Sequence, residues 1–118
     1  MNRNGSHAED VAAAYVQQRG LKVLVRNYRC RFGEIDLIAR DGKTLVFIEV
    51  RMRTSDRFGG AAASITAAKR RRLVAAARHY LAAAGRDRPS RFDVVLLRGE
   101  PPEIEWIANA FGEDGGRR

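Results

Sequence analysis

Residues 33–51 read GEIDLIARDGKTLVFIEVR, two runs of alternating polar and apolar side chains on either side of Asp41-Gly42. Alternation with a period of two is the mark of half-buried strands, and an Asp-Gly pair suits a two-residue hairpin loop whose central positions need positive φ. Strands over 34–40 and 44–53 follow. With Asp41 and Gly42 as the loop, Arg40 pairs with Lys43, Asp36 lies opposite Phe47 and Glu34 lies opposite Glu49. The pleat then gathers Glu34, Asp36, Glu49 and Arg51 on one face and leaves Ile35, Leu37, Val46, Ile48 and Val50 for the core. Asp36 and Glu49 become diagonal neighbours, with Cα atoms roughly 7 to 8 Å apart. Two carboxylates at that spacing can reach one hard divalent cation, Mg²⁺ or Mn²⁺, which would also offset the repulsion between Glu34 and Glu49. The residues alone equally allow an ordinary half-exposed hairpin, its acids neutralised by Arg40, Arg51 and Arg53 in surface ion pairs worth about 0 to 1 kcal/mol each.

Outward from this hairpin the periodicity changes. Residues 7–19 have helical spacing, with Ala8, Val11, Ala12, Tyr15 and Val16 on one side, Ser6 as N-cap and Gly20 as stop. LKVLVRNYR at 21–29 reads as a strand. TSDRFGG at 54–60 is polar and glycine-rich, the composition of a mobile loop. Residues 65–84 form a long helix with Leu73, Ala77, Tyr80, Leu81 and Ala84 as its apolar stripe and Gly85 at its end. RFDVVLLR and EIEWIANAF return to strand patterns, and the closing GEDGGRR reads as frayed. The order is α-β-β-β-α-β-β, an α/β fold with a mixed sheet flanked by helices. The 118 residues suit one domain, 1–118, with a real core.

The net charge of +8, from 22 Lys and Arg against 14 Asp and Glu, favours a polyanionic partner. Nucleic acid leads and an anionic membrane surface comes second. The single cysteine, Cys30, can form no intramolecular disulfide, and no Cys/His cluster offers a zinc site, so a buried or half-buried thiol is expected. No stretch approaches the roughly 20 apolar residues of a membrane span, so a soluble, cytoplasmic protein is expected. His7 and His79 fall on helices with no partner fixed by sequence and are read as surface residues, which leaves nucleophilic Ser/His/Asp or Cys/His chemistry without support.

GEID, a hairpin and then EVR resemble the PD-(D/E)xK nuclease core, in which an acid on one strand and an E-x-K triplet on the next build the catalytic centre. The ordered set AED, GLKVLVRNYR, GEIDLIARD, LVFIEVRMR, FGGA, a Lys-Arg-rich helix, RFDVV and NAF is similar to the YraN-like bacterial proteins. Their function is unknown, and they resemble archaeal Holliday junction resolvases in this core. The resemblance implies a restriction-endonuclease-like fold and a structure-selective DNA endonuclease using one or two Mg²⁺ or Mn²⁺ ions, with a homodimer by analogy. Asp36 and Glu49 would be the metal ligands, and Glu34 either an outer ligand or only the completion of the polar face. Glu9 matches an acid on the first helix that helps the resolvase site, although with Ser6 it also makes a capping box, the favoured role. Arg51 stands where the family pattern has lysine. A desolvated lysine can lose its proton and orient water, whereas arginine stays charged and is suited to clamping a phosphate.

Further basic residues would dock the nucleic-acid backbone. Lys69 and Arg72, with His79, share the polar side of the second helix by spacing, and Arg53 and Arg57, with Phe58, could grip an exposed base. Two other classes stay open: a nucleic-acid-binding protein with a degenerate site, and a protein-interaction subunit whose basic surface is incidental.

Overall fold

Each strand pairs with the strand next to it in sequence, so that a single five-stranded sheet runs in the order β1-β2-β3-β4-β5. The computed structural model describes residues 3–53, 65–85 and 88–112. Its elements are α1 (Arg3–Gln18), β1 (Lys22–Cys30), β2 (Gly33–Asp41), β3 (Thr44–Arg53), α2 (Ala67–Ala84), β4 (Ser90–Arg98) and β5 (Glu103–Phe111). Short turns make β1/β2, β2/β3 and β4/β5 antiparallel, while β3 and β4 are parallel because the crossover containing α2 returns the chain to the same end. This is the mixed sheet and the α-β-β-β-α-β-β order expected of a restriction-endonuclease-like core.

The helices cover opposite faces. Strand β3 alternates strictly: Leu45 and Phe47 pack with Leu73, Val74, Ala76 and Ala77 of α2, while Val46 and Ile48 pack with Ala12, Ala13 and Val16 of α1. Fully burying each large apolar side chain stabilises by about 1.5 to 3 kcal/mol, which holds the sheet between the helices as a rigid plate. Thr66 caps α2, its hydroxyl accepting the Lys69 N–H at 3.0 Å, so the helix begins two residues later than its apolar spacing suggested. Ala84, expected in the stripe, is exposed.

Three expectations are corrected. Asp41 pairs with Thr44, so the hairpin loop is Gly42-Lys43, with only Gly42 at positive φ (+61°). Glycine at the first central position is the type II′ solution, which suits the strand twist as well as an Asp-Gly loop does. The register therefore moves: Asp36 no longer faces Phe47, which pairs with Ile38. Helix α1 starts at Arg3, so Ser6 lies inside it and is not its N-cap. Ile35 packs on the α2 side while Leu37 packs on the α1 side. Residues two apart on a regular strand share a face, so the alternation of β2 breaks at Asp36. Across from the break, between the Arg26–Leu37 and Tyr28–Ile35 pairs, Asn27 adopts φ +54°, a left-handed conformation that asparagine tolerates. The TSDRFGG segment and the last six residues lie outside the described residues.

Candidate active site

The broken alternation builds the site. Pairing of β2 with β3 ends at Leu37–Ile48, and continuing that register by one step would set Asp36 directly opposite Glu49. The ladder does not continue there: the Val50 N–H donates instead to Asp36 Oδ2 at 2.8 Å. The opening between the strands lets groups from both faces of the sheet reach Asp36. From the α1 side comes Glu9, 9% exposed, in hydrogen-bonding range of Asp36 and of the Asn27 side chain. On the α2 side lies Glu49, 4% exposed and likewise in hydrogen-bonding range of Asp36. Three acids thus form a row through the sheet.

Charge along the row is uneven. Lys69 Nζ stands 3.1 Å from Glu49 Oε2, and an Arg51 guanidinium nitrogen stands 3.8 Å from the same oxygen. Asp36 is pushed up to about 6, first by burial and then by the Glu49 charge, with the Val50 N–H pulling the other way. Glu9 is raised as well, by burial and then by Asp36. Burial and the neighbouring acids make Asp36 and Glu9 harder to charge, the Lys69 and Arg26 charges offset this only in part, and a hard dication is a further partner of the right charge and size. Among the described residues no group of three or more His, Cys, Asp or Glu is arranged to hold a metal. Asp36 and Glu49 offer two carboxylates, and Mg²⁺ is commonly held by one or two carboxylates with water and substrate phosphate completing the shell. The donor set fits such an ion.

The expected residues divide clearly. Asp36, Glu49 and Arg51 come together as the strand pattern required. Glu9 joins them, and this corrects the capping role: Ser6 lies inside α1, and the Glu9 carboxyl is buried in hydrogen-bonding range of Asp36. Glu34 does not join; it lies 3.2 Å from Arg29 Nε, its side chain 61% exposed. Lys69, one turn before Arg72 on α2, is half-exposed and turns its ammonium to Glu49. Arg72 is exposed over the β1–β2 turn, and His79 is bonded to the Tyr28 hydroxyl although the sequence offered it no partner. Arg53 ends β3 beside Arg98 in the parallel register, while Arg57 and Phe58 lie outside the described residues. Cys30 is half-buried, as expected.

Two residues escaped the sequence. Asn27 positions Glu9, and its only signal was a turn-favouring residue in the middle of LKVLVRNYR. Asp93, 1% exposed, is the most buried acid among the described residues and pairs with Ile48 in the β3–β4 register. Its oxygens accept from Arg91 Nε at 3.1 and 3.2 Å, Trp106 Nε1 at 2.9 Å and the Asn109 N–H at 2.8 Å. A fully partnered carboxylate that ties β4 to β5 at the bulge between Phe92 and Val94 is a structural group.

The sequence profile of the uncharacterised protein family UPF0102 matches residues 8–97, from the start of the buried face of α1 to the end of β4. The chain belongs to this family. Two UPF0102 proteins of Nitrosomonas europaea are 64% and 66% identical to it over 110 residues, 92% of this chain and 93% of each relative. One from Cupriavidus taiwanensis is 59% identical over 112 residues, 93% of this chain and 83% of the relative. The stretch that UPF0102 shares with this chain contains Glu9, Asn27, Asp36, Glu49, Arg51 and Lys69. In the described residues no helix is long and apolar enough to cross a membrane.

Proposed function

We propose that this UPF0102 protein is a cytoplasmic, metal-dependent endonuclease that hydrolyses phosphodiesters in DNA of non-duplex structure. The observation that carries this is Lys69, whose ammonium group lies 3.1 Å from Glu49 beside Asp36. Arg51 occupies the lysine position of the linear pattern, and arginine cannot exchange a proton near neutral pH. Helix α2 delivers a lysine to the same carboxylates from a different place in the chain. Two acids with a lysine beside them support the nuclease reading, although the E-x-K spacing is broken in sequence.

Asp36 and Glu49 would hold Mg²⁺ or Mn²⁺, which lowers the pKa of a bound water and polarises the phosphate. Glu49 sets the direction of the Lys69 ammonium, which orients the attacking water and counters charge as it builds. Arg51, half-exposed at the mouth of the site, grips a non-bridging phosphate oxygen. Glu9 acts through Asp36 as a positioning residue. The water oxygen bonds to phosphorus, one ester P–O bond breaks, the water's proton passes to solvent and the leaving oxygen takes one up. No covalent enzyme intermediate is needed.

The test is cleavage in Mg²⁺ and in Mn²⁺ across four-way junctions, flaps, single strands and duplexes, with Glu49→Ala purified alongside. Cutting that needs metal and vanishes in Glu49→Ala is expected. A wild-type protein that binds these DNAs and cuts none of them would overturn the enzyme and leave a binding module.

A further inference from the structure

We propose that the turn between β1 and β2 is a stacking platform for one unpaired nucleobase next to the phosphate that is cut. The turn is Arg31-Phe32, and the Phe32 side chain is 40% exposed. A lone exposed phenylalanine is common on protein surfaces; its setting is what distinguishes this one. The Arg31 guanidinium lies over the ring, 4.9 Å from its centre, and the His79 ring lies 5.8 Å away at a tilt of 59°. His79 is itself held by the Tyr28 hydroxyl, and Tyr28 packs edge-on to Tyr80 at 5.3 Å. Gly33 presses the turn against α2, where a Cβ on it would stand 3.4 Å from the Arg72 Cβ. The ring is therefore exposed yet supported from beneath, with exposed Arg31 over it and exposed Arg72 beside the turn. Aromatic faces interleaved with arginines are what single-stranded nucleic acid stacks on, and a negative backbone matches this charge.

Spacing ties the platform to the acids. Lys69 and Arg72 are three residues apart on α2, which puts their Cβ atoms roughly 5–6 Å apart, about the step from one backbone phosphate to the next. A strand with one phosphate at Arg51 and Lys69 would bring its neighbour to Arg72 and the attached base over Phe32, where Arg31 already stacks. A base inside a duplex is stacked on its own neighbours and cannot reach the ring. The substrate class is then DNA with an unpaired nucleotide beside the cut: a bulge, a flap base or a branch point. The placement of the cut rests on the nuclease proposal; the stacking does not.

Binding is measured in EDTA, so that nothing is cleaved, by fluorescence anisotropy on a duplex and on the same duplex carrying a one-nucleotide bulge, with 2-aminopurine as the bulged base. Phe32→Ala should weaken binding to the bulged DNA roughly 10-fold, leave the plain duplex within about 2-fold, and abolish the quenching of 2-aminopurine that the wild type and Phe32→Trp produce. Equal losses on both DNAs, or none, would overturn the platform. If the wild type cuts nothing in metal while Phe32 still governs bulge binding, the nuclease proposal fails and the platform stands. Cleavage of bulged DNA that is indifferent to Phe32→Ala sinks the platform alone.

Discussion

Lys69 Nζ and Glu49 Oε2 stand 3.1 Å apart, a contact that fastens the first turn of α2 to the middle of β3 on the face where Asp36 opens the sheet. Arg51 approaches the same oxygen from the side, at 3.8 Å. Two cations on one carboxylate invite an exchange experiment. Lys69→Arg keeps the charge and the ion pair but replaces the compact ammonium that orients the water with a planar fork, and it should lower cleavage at least 100-fold with little change in Tm. The double variant Lys69→Arg with Arg51→Lys has the composition of the wild type and returns a lysine to the site, so cleavage should recover by at least 10-fold over the single variant; these magnitudes are those typical of losing one preorganised donor. If Lys69→Arg cuts at the wild-type rate, Lys69 only balances charge.

Asp36 supplies a prediction about stability. Its carboxyl gives up its proton near 3.8 in the unfolded chain and near 6 in the folded one. Between those values the native state binds more protons than the unfolded state, so without metal this group's contribution to stability is greatest below pH 4 and is lost as pH rises through 6. The loss amounts to about 2–3 kcal/mol. Asp36→Asn can still accept the Val50 N–H but carries no charge. In EDTA the variant should gain on the wild type by about that amount between pH 4 and pH 7, read from urea unfolding at each pH. Excess Mg²⁺ should stabilise the wild type at pH 7 and do nothing for Asp36→Asn. A stability difference between the two proteins that is flat with pH would show that Asp36 is ionised throughout.

The strands and their order were legible because alternation and turn chemistry are local. β5 was bounded correctly from EIEWIANAF alone. The register of the central hairpin was not, because Asp41-Gly42 and Gly42-Lys43 are both competent loops and the choice falls to packing across the sheet, where Ile38 must meet Phe47. Of the site, Asp36 and Glu49 could be found because they interrupt runs that are otherwise apolar. Lys69 could not be assigned to them: helical spacing placed it on the polar side of α2, and only the crossing of α2 over β3 turns that side toward Glu49. Glu9 was drawn toward a cap by Ser6, since a capping box is a pattern in sequence whereas contact with Asp36 depends on the break at Asn27.

Glu34 makes a useful negative control. It belongs to the same motif as Asp36, yet its exposed carboxylate pairs with Arg29 across the β1–β2 ladder. Exposed pairs of this kind contribute about 0 to 1 kcal/mol. Glu34→Ala should therefore leave Tm within a few degrees and cleavage within about 3-fold, well under the loss expected for a metal ligand. Loss of Mn²⁺ binding in Glu34→Ala, followed by isothermal titration calorimetry, would place Glu34 back at the site.

Asp93 separates fold from function in the opposite direction. Its carboxylate is buried and takes four hydrogen bonds, from Arg91, Trp106 and the backbone of Asn109. Asn109 sits at φ +55° where β5 slips against β4, so the acid fastens the irregular end of an edge strand. Asp93→Ala takes the acceptor from Trp106 Nε1 and the Asn109 N–H, while Arg91, 23% exposed, keeps Asp41 at 3.2 Å, and each donor left unmet costs about 1–3 kcal/mol. The expected result is a large fall in the midpoint of urea unfolding, with divalent-cation affinity unchanged in the fraction that stays folded. Should Asp93→Ala keep wild-type stability and lose Mn²⁺ binding instead, the buried acid of β4 belongs to the metal site and the row of three must be redrawn to include it.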